Sequence, residues 1–270
     1  MRLEESFEPH VARERAGWKA VSVPAEHGGW GLTLEPVLLG LVVAWSGAGM
    51  ALGLVAFAAF LVRTPLKVVA VDLRRGRWLD RSRLALRIAI AELIVLGACV
   101  AIAIVRAGWS WLAPVAIAAP LIVVEVSFDI RSRSRRLVPE LCGAAGITAV
   151  AASIVLASGR DAALAAGVWL VLAARALGSI TFVRVQIQRL RRGHASVWPS
   201  DLAQVAAVAV AATAVLADQR LMLGAVGVVL LAAAQTVWVR LAPIPAKRLG
   251  LRQMALGMAL VTVSAVGVLW

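Results

Sequence analysis

The chain has 270 residues, of which 61% are apolar and 16% are charged, and its formal net charge is +13 at pH 7. A soluble domain usually contains about 25% charged and 45–50% apolar residues. With a mean hydropathy of +0.86, no water-soluble fold of this length could bury its apolar surface. The composition excludes soluble enzymes, disordered chains and secreted disulfide scaffolds, and it predicts a helical membrane protein.

Nine apolar segments are long enough to cross a bilayer, which requires about 20 residues of helix. They cover 29–46, 48–66, 84–106, 108–128, 137–158, 162–183, 199–217, 221–239 and 252–270. We therefore predict an all-α, polytopic transmembrane bundle with nine spans. The predicted organisation is a cytoplasmic N-terminal arm (1–28) followed by a single membrane domain (29–270).

Basic residues alternate between the regions that separate these segments. The N-terminal arm has four, the 63–87 region has eight, and each later basic loop has four, whereas the loops between them have none or one. Cytoplasmic loops carry the excess of Lys and Arg, so we predict a cytoplasmic N-terminus and a C-terminus outside. Topology thereby explains the net charge, and no nucleic-acid partner is expected. The composition, rich in Arg, Ala and Val and without Tyr, indicates a bacterial source. Together with the apolar segments it predicts a multi-pass protein of the bacterial cytoplasmic (inner) membrane.

The first group of candidate functional residues lies where the chain enters its first span. Pro24 and three glycines interrupt the helix there, and His27 is able to exchange protons near neutral pH. Glu35 lies further in, and acids within a membrane span are candidate functional residues. The alternative is a flexible turn with an interfacial histidine.

A second group lies at the inner end of the fourth span. Glu125 and Asp129 are four residues apart and so share one face of a helix. Two such carboxylates could hold a divalent cation. We favour the alternative that Arg133 and Arg136 neutralise them, and no metal site is predicted.

The third group ends the sixth span, where Arg184 and Gln188 stand among further arginines suited to phosphate binding. The positive-inside rule offers a purely topological explanation of these charges. We expect Arg184 and Gln188 to line one cytoplasm-facing cavity together with His27, Glu35, Glu125 and Asp129. Glu92 and Arg175 lie at equal predicted depth in spans three and six, which predicts a buried ion pair, with separate snorkelling as the alternative.

Several segments carry a resemblance to a known family. The sequence Glu26-His27-Gly28-Gly29-Trp30, followed by Pro36 and Gly40, resembles the opening of the YwiC-like family of bacterial membrane proteins. The stretch from Gly178-Ser179 to Arg184 and the segment Arg240-Leu241-Ala242-Pro243 are similar as well. The resemblance implies an integral membrane protein and supplies no catalytic residues.

The predicted topology also resembles that of UbiA-type prenyltransferases at the level of architecture. That likeness implies an isoprenoid or lipid diphosphate as partner, held by aspartate-rich motifs. Asp72 and Asp80 lie in the corresponding loop but are eight residues apart, and Arg74 and Arg75 intervene, so the usual magnesium cage is incomplete. The sequence identifies no cofactor. It leaves three classes open: a UbiA-like enzyme or degenerate relative, a small-molecule transporter, and a membrane assembly factor.

Overall fold

A computed structural model describes residues 17–18, 21–22, 24, 27–131 and 136–270. Most of the predicted N-terminal arm and Arg133 lie outside the described residues, and so does the side chain of His27. Nine α-helices follow one another along the described chain, and each corresponds to one predicted segment. They are α1 (His27–Val43), α2 (Gly47–Arg74), α3 (Asp80–Ala107), α4 (Leu112–Ile130), α5 (Leu137–Ala157), α6 (Ala162–Arg192), α7 (Trp198–Ala217), α8 (Met222–Trp238) and α9 (Ala246–Leu269).

The helices have the length and composition of membrane spans. Among the described residues, eight apolar helical segments are long enough to cross a bilayer: α2 to α7, α8 with the short 3-10 turn before it, and α9. The ninth helix, α1, has 17 residues and is therefore about 26 Å long at 1.5 Å per residue. These helices confirm the prediction of an all-α, polytopic bundle, whereas the number of spans and the orientation stay predictions.

Several helices extend beyond the apolar segments that predicted them. α2 continues to Arg74 and α6 to Arg192, although the apolar stretches end near residues 66 and 183. Arg, Lys and Gln are good helix formers, so the helices continue where the hydropathy falls. Only residues 44–46 separate α1 from α2. The Ser46 side chain caps α2 by accepting a hydrogen bond from the Gly49 backbone N–H at 2.9 Å.

The bundle has a central layer and two flanking groups of helices. α1, α5 and α6 pack against one another in the centre, α2 to α4 lie on one side, and α7 to α9 lie on the other. Small side chains dominate the contacts, including Ala151, Ala174 and Ala211, all fully buried. Small residues allow transmembrane helices to approach closely. α3 and α4 leave most of their apolar surface exposed, as expected for helices that face lipid.

The helices alternate in direction, which gives the bundle two chemically different ends. We call the end where α2, α4, α6 and α8 finish the basic end, because the Arg-rich loops lie there. Ion pairs link these helix ends, such as Arg240 with Asp201 at 2.7 Å and Arg184 with Glu140 at 3.2 Å. At the opposite end, Arg220 contacts Asp161 at 2.8 Å.

Candidate functional site

An ion pair is buried in the interior of the bundle. Nη2 of Arg175 on α6 lies 3.3 Å from Oε1 of Glu35 on α1, and the two side chains are only 3% and 4% exposed. The same Nη2 donates a hydrogen bond to the backbone oxygen of Gln253 on α9 at 2.6 Å. Glu35 is the middle residue of α1, so this contact joins three helices deep within the membrane domain.

The predicted partner of Arg175 was wrong. Glu92 lies on α3, which packs mainly against α2 and not against α6, and its Oε2 atom is buried without a hydrogen-bond partner in the described part of the chain. Equal depth along two helices does not place two residues on facing sides. Both helices also extend beyond the predicted boundaries, because α3 begins at Asp80 and α6 ends at Arg192.

Three glutamines extend the ion pair into a buried polar network. Gln204 on α7 donates to the Gln235 side chain on α8 and to the Gly178 backbone oxygen, each at 3.1 Å. Gln235 in turn donates to the Gln253 side chain at 3.4 Å. All three glutamines are buried. The network therefore connects α1 with all three helices of one flanking group through α6.

Glycines make room for this network. A Cβ atom at Gly257 on α9 would overlap Oε1 of Glu35 and lie 3.0 Å from Nη2 of Arg175. A Cβ atom at Gly178 on α6 would lie 2.6 Å from Oε1 of Gln204. Real Cβ atoms do not approach other heavy atoms so closely, so each polar side chain occupies space that only glycine leaves free.

One face of α6 leads from the basic end to the ion pair. Arg189, Gln186, Phe182, Ser179 and Arg175 succeed one another at intervals of three and four residues, which places them on one side of a helix. We call this stripe the α6 polar face. At the basic end, Arg189 donates to the backbone oxygens of Val239 and Leu241 where α8 ends.

Two cavities lie along the α6 polar face. The deep cavity has a volume of about 10 Å³ and is lined by Arg175, Ser179, Gln204 and Gln235 among others. A cavity of this size has room for about one water molecule. The basic-end cavity has a volume of about 100 Å³. On α6 the lining of the deep cavity ends at Ser179 and that of the basic-end cavity begins at Phe182, about one helical turn further along. On α8, Gln235 and Trp238 are spaced in the same way.

The basic-end cavity combines an aromatic ring, a cation and an amide. Arg252 stacks on the Trp238 ring with its guanidinium carbon 3.3 Å from the ring centre, an attractive arrangement of cation and aromatic face. Gln186 donates to the Trp238 backbone oxygen at 2.7 Å. Its own oxygen is buried without a donor among the described residues. Phe182 lines this cavity on the side toward the deep cavity.

The predicted carboxylate pair on α4 is present on one face but has other partners than expected. Arg63 on α2 contacts Glu125 at 2.8 Å and Asp129 at 2.9 Å, and Lys67 contacts Asp129 at 2.6 Å. Arg136 is exposed, and Arg133 lies outside the described residues. In the described part of the chain, cations of α2 therefore neutralise the two carboxylates, and the part predicted for Arg133 stays a prediction.

The two aspartates compared with a metal-binding motif have different environments. Asp72 is buried and accepts hydrogen bonds from Arg81 at 2.8 and 3.1 Å and from the Ser82 hydroxyl at 2.8 Å. Asp80 is fully exposed, 3.8 Å from Arg83. Within the described residues, no group of three potential metal ligands occurs. These donors do not fit a magnesium diphosphate.

The remaining predicted site residues lie in separate surroundings. Arg184 pairs with Glu140 on α5, and Gln188 is half-buried on α6, two residues from Gln186 and so on another side of the helix. Glu35 belongs to the buried polar network, while Glu125 and Asp129 contact α2. His27 begins α1, and its side chain is outside the described residues. Other residues line the two cavities, and of the predicted buried charges only Arg175 lines one of them, the deep cavity.

The fold and composition define a polytopic integral membrane protein with charged and amide side chains in its interior. The chain belongs to the YwiC-like family, because the family model described as YwiC-like protein matches residues 23–158, half of the chain. That region runs from the N-terminal motif to the end of α5 and includes Glu35. No curated protein and no solved structure matches the chain.

The matched region contains glycines whose positions the structure explains. A Cβ atom at Gly29 would lie 2.7 Å from the Phe60 ring of α2, and one at Gly40 would lie 2.9 Å from Cβ of Ile154 on α5. Trp30 meets the same Phe60 ring edge-on at 5.1 Å. These residues of the motif therefore set the close packing of α1, which holds Glu35 in position.

Proposed function

We propose that this protein is a carrier in the cytoplasmic membrane of a bacterium, which binds a small anion or the anionic head group of a lipid at Arg175. The observation that carries the proposal is the Glu35–Arg175 pair in the interior of the bundle. A charge at the middle of a membrane costs about 2.5–3.5 kcal/mol on insertion scales, and such residues mark ligand and ion pathways.

The unpartnered atoms of the buried polar network favour an anion. Nε of Arg175 and Nε2 of Gln253 are both buried and have no acceptor among the described residues. Each such donor costs about 1–3 kcal/mol. A ligand with acceptor oxygens would relieve this cost, and a guanidinium is well suited to bind carboxylate or phosphate through two hydrogen bonds.

The α6 polar face supports a route from the basic end. Its cations give that end a positive potential, which attracts anions. The basic-end cavity and the deep cavity follow one another along this face, with Phe182 between them. A ligand that enters at the basic end would therefore meet Arg252 and Gln186 first and Arg175 last.

A carrier agrees better with the acidic residues than a magnesium-dependent transferase does. Asp72 is hydrogen-bonded to Arg81 and Ser82, and Glu125 and Asp129 are paired with cations of α2. The isoprenoid or lipid diphosphate expected from the sequence has the same anionic chemistry and stays one class of ligand. We propose such a diphosphate as a ligand that binds at Arg175, without the metal chemistry of UbiA-type enzymes.

The test is anion-dependent stabilisation of the purified protein. Thermal unfolding in detergent is followed by tryptophan fluorescence with nitrate, acetate, inorganic phosphate or farnesyl diphosphate, and farnesol controls for the apolar tail. A ligand that binds the folded state raises Tm. A response to the simple anions indicates a free anion, and a response to farnesyl diphosphate alone indicates a lipid head group.

The decisive variant is the double substitution Glu35→Gln with Arg175→Gln, which removes both charges and leaves no lone buried charge. We expect it to lose the response. Arg220→Gln is the matched control, because it removes an arginine at the opposite end, and it should respond like the wild type. If no anion stabilises the wild type, or if the double variant responds equally, the proposal is wrong.

A further inference from the structure

We infer that an anion binding at Arg175 displaces the Glu35 carboxylate, which then takes up one proton, so that anion and proton enter the site together. The inference rests on the proposed function and adds a coupling ion to it. It follows from the space around the ion pair, from the charges that face Glu35, and from the neutrality that a buried site requires.

The space around the ion pair favours an anion that replaces the Glu35 carboxylate at Arg175 over one that binds beside it. Glu35 fills the gap left by Gly257, since a Cβ atom there would overlap its carboxylate. The deep cavity beside Arg175 has room for about one water molecule. An anion larger than water therefore gains full contact with the guanidinium by taking the place of the carboxylate.

The contacts of Arg175 also favour exchange at Glu35. Its Nη2 atom lies 2.6 Å from the Gln253 backbone oxygen and 3.3 Å from Glu35. The carboxylate contact is the longer of the two. The Gln253 oxygen is part of α9, so it holds the guanidinium in place while the carboxylate moves.

Arg175 is the charged group that acts on Glu35 among the described residues. Four helices pack against α1. α9 presents Gly257 near the carboxylate, while α5 and α2 present apolar contacts to α1, such as Ile154 at Gly40 and Phe60 at Gly29. When Arg175 pairs with another anion, no second cation from these contacts takes its place beside Glu35.

The charges of the site then decide the protonation state. The pair is neutral as it stands, with one carboxylate and one guanidinium. A bound monoanion would leave a net charge of −1 in a medium of low dielectric constant, which is strongly unfavourable. One proton from the solution on the side of entry forms an O–H bond on Glu35 and restores neutrality. The complete step is the uptake of one proton with one anion.

The wild-type protein provides the first test. Nitrate and acetate do not titrate near neutral pH, and farnesyl diphosphate is used at pH 8, above the second phosphate pKa of about 6. Calorimetric titration in buffers of different ionisation enthalpy gives the number of protons taken up per bound anion. For the monoanions nitrate and acetate we expect one proton per anion, and an affinity for nitrate that falls about tenfold for each unit of rising pH.

Variants separate Glu35 from the other intramembrane acid. Glu35→Gln imitates the protonated carboxyl, so it should bind nitrate without proton uptake and with an affinity independent of pH. Glu92→Gln is the matched control on α3, away from the site, and should behave like the wild type.

The outcomes distinguish the two proposals. Binding by the wild type without proton uptake, or persistent proton uptake in Glu35→Gln, overturns the coupling and leaves the proposed carrier function standing. Failure of nitrate, acetate, inorganic phosphate and farnesyl diphosphate to bind overturns both proposals. The proton count of the wild type decides the matter even if Glu35→Gln does not fold.

Discussion

Gly257 is the position where a single methyl group should do most damage to the buried ion pair. In Gly257→Ala the new Cβ atom would overlap Oε1 of Glu35 and lie 3.0 Å from Nη2 of Arg175. Both contacts involve side chains that are 3–4% exposed, so neither can move into solvent. The carboxylate must leave the guanidinium or α9 must move outward.

The expected cost follows from the two effects of the methyl group. Breaking a buried ion pair typically costs about 3–5 kcal/mol, whereas alanine in place of glycine stabilises a helix by about 1 kcal/mol. We therefore expect Gly257→Ala to lower the free energy of unfolding by about 2–4 kcal/mol. Reversible unfolding in mixed micelles, followed by tryptophan fluorescence, measures this difference.

Gly250→Ala is the matched control on the same helix. A Cβ atom there has no neighbour within 4 Å among the described residues, so we expect no loss and a gain of up to about 1 kcal/mol. In a background of Glu35→Ala with Arg175→Gln, which removes both overlapping groups, Gly257→Ala should cost less than about 1 kcal/mol. If Gly257→Ala matches the control, or costs as much in that background, the steric argument is refuted.

Three further predictions concern topology and the ends of the bundle. Reporter fusions at Arg106, Arg160, Arg220 and Trp270 should all report the outside, and a cytoplasmic signal from any one contradicts the predicted orientation. Asp72→Asn should lower the free energy of unfolding by about 1–3 kcal/mol, because it weakens the hydrogen bonds that Asp72 accepts from Arg81 and Ser82. At the exposed control position, Asp80→Asn should change the free energy of unfolding by no more than about 0.5 kcal/mol. Equal effects of the two substitutions would refute a structural role for Asp72. Hydrogen bonds from the Leu164 backbone and from Arg220 hold the pKa of Asp161 below its ordinary value, and Arg220 does the same for the pKa of Asp218. Both carboxylates therefore stabilise the fold at neutral pH, and this contribution is lost as pH falls below about 4. We expect the Tm of the wild type to fall between about pH 5 and about pH 3. The double variant Asp161→Asn with Asp218→Asn should show a smaller fall over the same range. Equal falls would contradict a stabilising role of the two ionised carboxylates.

The helices could be predicted from sequence because membrane insertion depends on local composition. Each apolar segment carries its own transfer free energy, so each of the nine predicted segments corresponds to one α-helix of the described chain. The helix ends were less predictable, as α6 shows by continuing to Arg192. Beyond the apolar stretch, helix formation depends on propensity and on contacts such as those of Arg189 with α8, which hydropathy does not measure.

The partners of the buried charges could not be predicted, because a sequence contains depth along a helix but not the direction in which each helix faces. The sequence identifies Glu35 as a candidate functional residue and Arg175 as a buried charge. Their contact, however, depends on how α1 and α6 pack against each other. Glycines carry a further signal. Gly257 and Gly143 each lie opposite a carboxylate, Glu35 and Glu125 respectively, and a small residue in a membrane helix can mark the place of a polar side chain.

The packing of α1 has an electrical consequence. A helix of 17 residues is about 26 Å long, less than the roughly 30 Å of a typical hydrocarbon core. Because α1 packs against α2, α5, α6 and α9, the protein rather than the lipid meets this mismatch. Any net charge that moves along α1 therefore moves through protein, and it does work against the transmembrane voltage of about 2.3 kcal/mol per elementary charge for each 100 mV crossed.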